Sequence, residues 1–186
     1  MSPGLAELDT VAAPGDLRFH AITLYVVVRA LRPGLMVETG VAHGKSSAFV
    51  LLGMDHNAIG ELISIDLPPD GNLADGSLTS MAGRPTGWLV PERLRARWDL
   101  RLGDSLELLP EALAGNSPDI FFHDSLHTFE HTTAELQLAL HAATGPLTVL
   151  VDNIDMGSGY AFAELLGQRR TVGYAYRDFG GATFVR

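Results

Sequence analysis

Short runs of β-branched and apolar residues alternate with helical patterns along most of this 186-residue chain. No other feature constrains the fold as strongly. Strands separated by helices pair in parallel through crossovers, whereas strands separated by a tight turn pair antiparallel. The strand-like runs are Leu35–Thr39, Leu62–Asp66, Asp99–Leu102, Ile120–His123 and Thr148–Val151. Helical patterns cover Ser46–Met54, Pro91–Arg97, Leu106–Leu113 and Phe129–Ala142. The strands are largely apolar, as expected of a sheet covered on both faces. A first helix runs from the candidate N-cap Asp16 to Pro33-Gly34, with Leu17, Ile22, Leu24, Val27, Val28 and Leu31 near helical spacing. The tail breaks the alternation. After a helical stretch, Tyr160–Leu166, two strands, Val172–Tyr176 and Ala182–Val185, flank the loop Arg177-Asp178-Phe179-Gly180-Gly181. So short a connection makes a hairpin. The expected fold is α/β and doubly wound: five parallel strands closed by an antiparallel hairpin.

The length suits one domain, residues 16–186, after an N-terminal tail at 1–15. The connection 67–90 is rich in proline and glycine and has little periodicity, which fits either a flap near the site or a surface insertion. There is no cysteine, so disulfides, thiolate zinc sites and a catalytic thiol are excluded. The formal net charge of -9 disfavours phosphate backbones and anionic membrane surfaces, leaving a small molecule as the expected partner and no nucleic acid. Met1 to Asp16 lacks a basic segment followed by an apolar one, and no apolar run reaches membrane-spanning length. A cytoplasmic location is the expectation.

Three strand ends carry the chemistry. After the first strand comes Glu38-Thr39-Gly40-Val41-Ala42-His43-Gly44-Lys45-Ser46. Glycines there let a ligand approach the backbone, and the following helix offers free N–H groups. The pattern misses the dinucleotide fingerprint at Ala42. It misses a phosphate loop by one residue, because Thr39 holds the place Gly40 would need. That near miss matters, since Asp152 after Val149-Leu150-Val151 could serve as the magnesium acid of a nucleotide hydrolase. Glu38 argues against both phosphate readings, because a carboxylate at the strand tip repels phosphate but can accept from an ammonium group. After the second strand, Asp66 is placed to accept ribose hydroxyls or to finish the strand in solvent. After the third, Gly103-Asp104-Ser105 offers an acceptor for an adenine amino group, or a helix cap in Asp104.

In order and spacing, these three ends resemble the first three cofactor motifs of class I S-adenosylmethionine-dependent methyltransferases, and the terminal hairpin is similar to that family's last two strands. The resemblance covers about residues 16–186. It implies a Rossmann-like sheet of seven strands, order 3-2-1-4-5-7-6, with the last strand antiparallel. It also implies that Glu38, Gly40, His43, Gly44, Ser46, Asp66, Gly103, Asp104, Ser105 and Asp124 contact the cofactor S-adenosyl-L-methionine. The segment Asp124-Ser125-Leu126-His127 looks like that of metal-dependent sugar and macrolide O-methyltransferases and of the cephalosporin-hydroxylase-like group. Asp152-Asn153 is similar to the catechol-type pair. By that likeness Asp124, Asp152 and Asn153 hold a divalent metal, with magnesium expected, and His127 is a general base. The expected reaction is O-methylation of a small hydroxylated molecule, the acceptor's identity being open.

Other constellations are weaker. His123, His127 and His131 recur every four residues, but a strand residue cannot share a helical face with the other two, so zinc is disfavoured. Ser125 lacks the Gly-x-Ser-x-Gly elbow of a hydrolase. Trp88 and Trp98 fit core packing better than a pocket wall. The rival functions are a phosphate-loop ATPase using Lys45, Ser46 and Asp152, and a non-catalytic binding subunit on a methyltransferase fold. The edge hairpin and the apolar first helix are candidate surfaces for a homo-oligomer.

Overall fold

A computed structural model of the chain describes residues 19–68 and 84–185. The expected N-cap Asp16, the tail 1–15 and most of the 67–90 connection lie outside the described residues. Seven strands form one sheet in the order β3-β2-β1-β4-β5-β7-β6. They are β1 (Leu35–Thr39), β2 (Glu61–Asp66), β3 (Trp98–Leu102), β4 (Ile120–His123), β5 (Leu147–Val151), β6 (Tyr174–Tyr176) and β7 (Phe179–Phe184). The first five are parallel, and β7 is antiparallel to β5 and to β6. The order expected from the resemblance is the one observed.

Alternation along the strands divides the core in two. On one face Met36, Leu62, Ile120, Phe122 and Leu150 meet helices α1 (Phe19–Leu31) and α2 (Lys45–Asn57). On the other, Val37, Ile63, Ile65, Phe121 and Val149 meet α3 (Ser105–Leu113), α4 (Phe129–Ala142) and α5 (Gly157–Arg169). Side chains of successive strand residues point to opposite faces, so both faces must be apolar when helices cover both. Phe121 and Phe122, adjacent and fully buried, anchor the two halves of the core. No helix among the described residues is long and apolar enough to cross a membrane.

Four local expectations are corrected. The face of α1 turned to the core is Ala21, Leu24 and Val28, while Ile22 and Leu31 are exposed. Its polar member, His20, lies one turn before Leu24 on that same stripe. Glu92–Arg97 is a 3-10 helix. Helix α5 is nearly twice as long as its apolar pattern, because its first turn, Gly157-Ser158-Gly159, has no apolar side chain and its last residues, Gly167–Arg169, are exposed. In the hairpin only Arg177 and Asp178 form the turn, and Gly180 and Gly181 are strand residues paired with β5. A Cβ at Gly180 would stand 2.9 Å from Phe162 Cε1, and one at Gly181 would stand 2.9 Å from Leu150 Cδ2. These glycines serve close packing rather than the turn.

Candidate active site

The C-terminal ends of β1, β2, β4 and β5 converge where the strand order reverses, between β1 and β4. This is where open parallel sheets form a ligand crevice. Gly40 and Gly44 bound the turn after β1 with φ of 83° and 85°. A Cβ at Gly40 would lie 1.9 Å from the Asp124 carbonyl oxygen, so the turn rests directly on the end of β4. Gly44 is the left-handed N-cap residue of α2 and offers no side chain there.

Beneath the turn lies Glu38, fully buried. Its carboxylate accepts from Ser46 Oγ at 2.7 Å, Ser47 Oγ at 2.6 Å and Ser64 Oγ at 2.7 Å. Trp98 Nε1 donates in turn to Ser64 Oγ at 2.8 Å. Burial raises the Glu38 pKa, and the three hydroxyls oppose that rise. The carboxylate thus joins β1, β2 and the first turn of α2, and it faces hydroxyl groups rather than the open crevice.

Asp66 stands at the tip of β2. One oxygen accepts from Ala42 N at 2.7 Å and the other from Leu67 N at 2.8 Å. Its pKa is raised, chiefly by burial, with backbone hydrogen bonds opposing. Each oxygen keeps acceptor capacity after one bond. At the third strand end, Gly103 N donates to the Asp66 carbonyl at 2.8 Å. Asp104 is exposed and caps α3 through Leu106 N at 2.8 Å, while Ser105 turns inward.

That inward turn leads to a centre the sequence does not announce. Glu135, on α4, is fully buried. Its oxygens accept from Thr39 Oγ1 (2.7 Å), His123 Nδ1 (2.6 Å), His131 Nε2 (2.9 Å), Ser125 Oγ (2.9 Å) and Ser105 Oγ. Burial alone would push this carboxyl up, but the hydrogen bonds from His123 and His131 outweigh it and hold the group well below its ordinary value. The same bond raises the His131 pKa against the effect of burial. One carboxylate therefore ties together the ends of β1 and β4, the start of α3 and the first turns of α4.

The metal-ligand candidates come together at β4 and β5. Asp124 and Asp152 follow the paired strand ends of β4 and β5, and the Asp124 pKa is well raised, first by burial and then by the neighbouring Asp152. Two neighbouring carboxylates at adjoining strand ends are hard oxygen donors, so the pair fits the divalent cation the fold family implies. Asn153 has a left-handed backbone, φ 52°, and its carbonyl accepts from Ser158 Oγ at 2.6 Å. The half-buried His127 sits edge-on to His123, ring centroids 5.5 Å apart. Two further residues reach this corner: His20 Nδ1 lies 2.7 Å from Asp152 Oδ1, and His20 Nε2 lies 2.9 Å from Asp178 Oδ1. Sequence reading missed both. The available signal was a histidine on the apolar stripe of α1.

The described limb of the 67–90 connection lies on the glycine-rich turn. Gly87 N donates to the Ala42 carbonyl at 2.9 Å and Leu89 N to the His43 carbonyl at 3.0 Å. The His43 ring stands edge-on to Trp88, and the Arg84 guanidinium lies 3.8 Å over the Trp88 ring.

The phosphate-loop reading is not favoured. Ser46, which would face magnesium there, gives its hydroxyl to Glu38 instead. Comparison with known proteins agrees. Solved structures of the same fold include an O-methyltransferase from Bacillus cereus in complex with SAH, TM-score 0.68 at 17% identity, covering 100% of this chain and 92% of that one. They also include the O-methyltransferase TomG from Streptomyces achromogenes, involved in tomaymycin synthesis and in complex with SAM, TM-score 0.67 at 18% identity, covering 100% and 90%. A methyltransferase from Geobacter sulfurreducens gives 0.65 at 19%, covering 100% and 89%. No curated protein matches the sequence. The family model described as a methyltransferase domain matches residues 37–154, from β1 past Asn153. The chain belongs to the methyltransferase domain family.

Proposed function

We propose that this chain is an S-adenosylmethionine-dependent O-methyltransferase acting on a small hydroxylated molecule with the help of a divalent cation. The observation that carries the reading is the placing of Asp124 and Asp152 side by side after the paired ends of β4 and β5, on the crevice bounded by Gly40, Gly44 and Asp66. Asp66 accepts from the ribose hydroxyls of the methyl donor. The Gly40–Gly44 backbone, with His43 and Ser46, forms the wall beside its amino-acid end, and Glu38 positions that wall from beneath. Gly103, Asp104 and Ser105 border the adenine. The formal charge of -9 supports a small acceptor over a nucleic acid.

Methyl transfer from a sulfonium is a displacement: the acceptor oxygen forms a bond to the methyl carbon as the carbon–sulfur bond breaks. Alignment supplies much of the rate. A bound divalent cation would lower the acceptor hydroxyl's pKa and orient it. Asp124, Asp152 and Asn153 are the hard oxygen donors that would hold such an ion, magnesium in the first instance. His127 takes the hydroxyl proton, as an imidazole can near neutral pH.

The test is calorimetric titration of the full chain with S-adenosylmethionine, ATP and NAD, each with and without magnesium. S-adenosylmethionine alone should bind, and Asp66→Ala should weaken it. Binding of ATP in its place overturns the reading. Binding of none of the three favours a non-catalytic subunit on the same fold.

A further inference from the structure

The corner formed by α1, the end of β5 and the hairpin turn holds a second set of ligand atoms. His20 on α1, Asp152 after β5 and Asp178 between β6 and β7 each offer one ligand atom, all within 4.8 Å of one another. The three residues come from segments far apart in sequence, so only the fold assembles them. The side chains of His20 and Asp152 are each 12% exposed. Asp152 Oδ1 is buried and has no hydrogen-bond partner, although His20 Nδ1 lies 2.7 Å away, so the ring is not aligned for an N–H···O bond. A buried carboxylate oxygen without a donor is costly, because its desolvation is not offset. His20 Nδ1 lies 2.7 Å from Asp152 Oδ1, close to the roughly 3 Å expected between two donors on one ion with bonds of about 2.1 Å, and the other ring nitrogen, Nε2, lies 2.9 Å from Asp178 Oδ1.

We propose that His20, Asp152 and Asp178 form an imidazole–carboxylate site for a divalent first-row transition ion. The proposal rests on the functional reading above for Asp152 as a ligand, and it changes the preferred metal. An all-oxygen set of Asp124, Asp152 and Asn153 suits magnesium. An imidazole ligand moves preference toward zinc, copper, iron or nickel, with cobalt as a spectroscopic stand-in for zinc, and affinities along that row rise toward copper for a given site. Two carboxylates balance the charge of a divalent ion. His20 binds through Nδ1 beside Asp152, and Nε2 stays against Asp178, which fixes the tautomer and orients the ring. The tilted contact of His20 with Phe179, centroids 5.2 Å apart, holds the ring from the β7 side.

The experiment uses the full chain stripped with chelator, titrated calorimetrically with Zn2+, Co2+ and Mg2+, with the visible spectrum of Co2+ recorded alongside. Zinc and cobalt should bind at least about a hundredfold tighter than magnesium. His20→Ala and Asp178→Asn should each weaken cobalt about 10–100-fold and change its spectrum. Thermal melting checks that the variants fold. Should His20→Ala unfold, Asp178→Asn in the hairpin turn carries the test. Cobalt binding with unchanged affinity and spectrum in the folded variants overturns the site, as does zinc binding no tighter than magnesium in the unmodified chain. S-adenosylmethionine is titrated separately. Its failure to bind would sink the methyltransferase reading while leaving His20-dependent cobalt binding as evidence for the site.

Discussion

Replacing Glu135 by glutamine changes one oxygen into an amide nitrogen and almost nothing else in shape. In the native site one oxygen receives Thr39 and His123, and the other receives His131, Ser125 and Ser105. Whichever way the amide turns, an NH2 group faces at least two donors, and the carboxylate charge that strengthened every bond is gone. Hydrogen bonds to a charged group contribute about 1.5–3 kcal/mol each, and removing one partner of a buried pair costs about 3–5 kcal/mol. The five bonds form one network and do not add, so about 3–5 kcal/mol is the expected loss at pH 7. For a chain of this size that lowers Tm by roughly 6–20 °C. The loss should depend on pH. The folded-state pKa of Glu135 lies below the ordinary value of 4.5. The wild-type advantage is therefore fully present above 4.5 and declines as pH falls through the folded value. Urea unfolding of both proteins at about pH 7, about pH 5 and about pH 3 measures this difference, the raised His131 being charged throughout the lower interval. A Glu135→Gln variant within about 1 kcal/mol of wild type at pH 7, or a difference that grows between about pH 5 and about pH 3, would refute the reasoning.

Three further outcomes are expected. Gly40→Ala puts a methyl against the Asp124 carbonyl in a left-handed conformation; strain of about 1–3 kcal/mol or more should appear in thermal melts, with loss of ligand affinity. Asp66→Ala removes the charged acceptor at the tip of β2 and should weaken S-adenosylmethionine binding by about 10–100-fold by calorimetry, with about 1–3 kcal/mol of stability lost because the Ala42 N–H is left unpaired. His127→Ala should lower kcat about 10²–10⁴-fold on an accepted substrate while leaving S-adenosylmethionine affinity intact; an unchanged kcat would remove His127 from proton transfer.

Much of the fold was legible because it depends on local pattern. The apolar strands, the intervening helices and the closing hairpin each carry their own periodicity, and the observed strand order follows the family resemblance that these elements and the three strand-end motifs support. The errors came where one residue type serves two purposes. Gly180-Gly181 read as turn residues, yet they sit within β7 against Phe162 and Leu150. Glu38, a candidate cofactor residue by its place in the motif, has partners that the motif does not announce: Ser46, Ser47 and Ser64. Glu135, His20 and Asp178 were invisible for a different reason. Their partners lie far away along the chain, and no short motif encodes a contact made only by the tertiary fold. What hinted at them was a polar side chain within an apolar stripe, as with His20 before Leu24 and Val28 on α1.

The carboxylate beneath the glycine-rich turn has a consequence for anyone wishing to redesign this crevice. Converting the turn to hold a phosphate would first require removing the negative charge of Glu38. That removal would strand three hydroxyls in the interior, among them the Ser64 hydroxyl that accepts from the indole of Trp98. The group that repels an anionic ligand is also the one that knits β1, β2 and α2 together. Ligand preference and folding stability are therefore written in the same atoms here, and an evolutionary route from one ligand class to another would have to pass through a less stable protein.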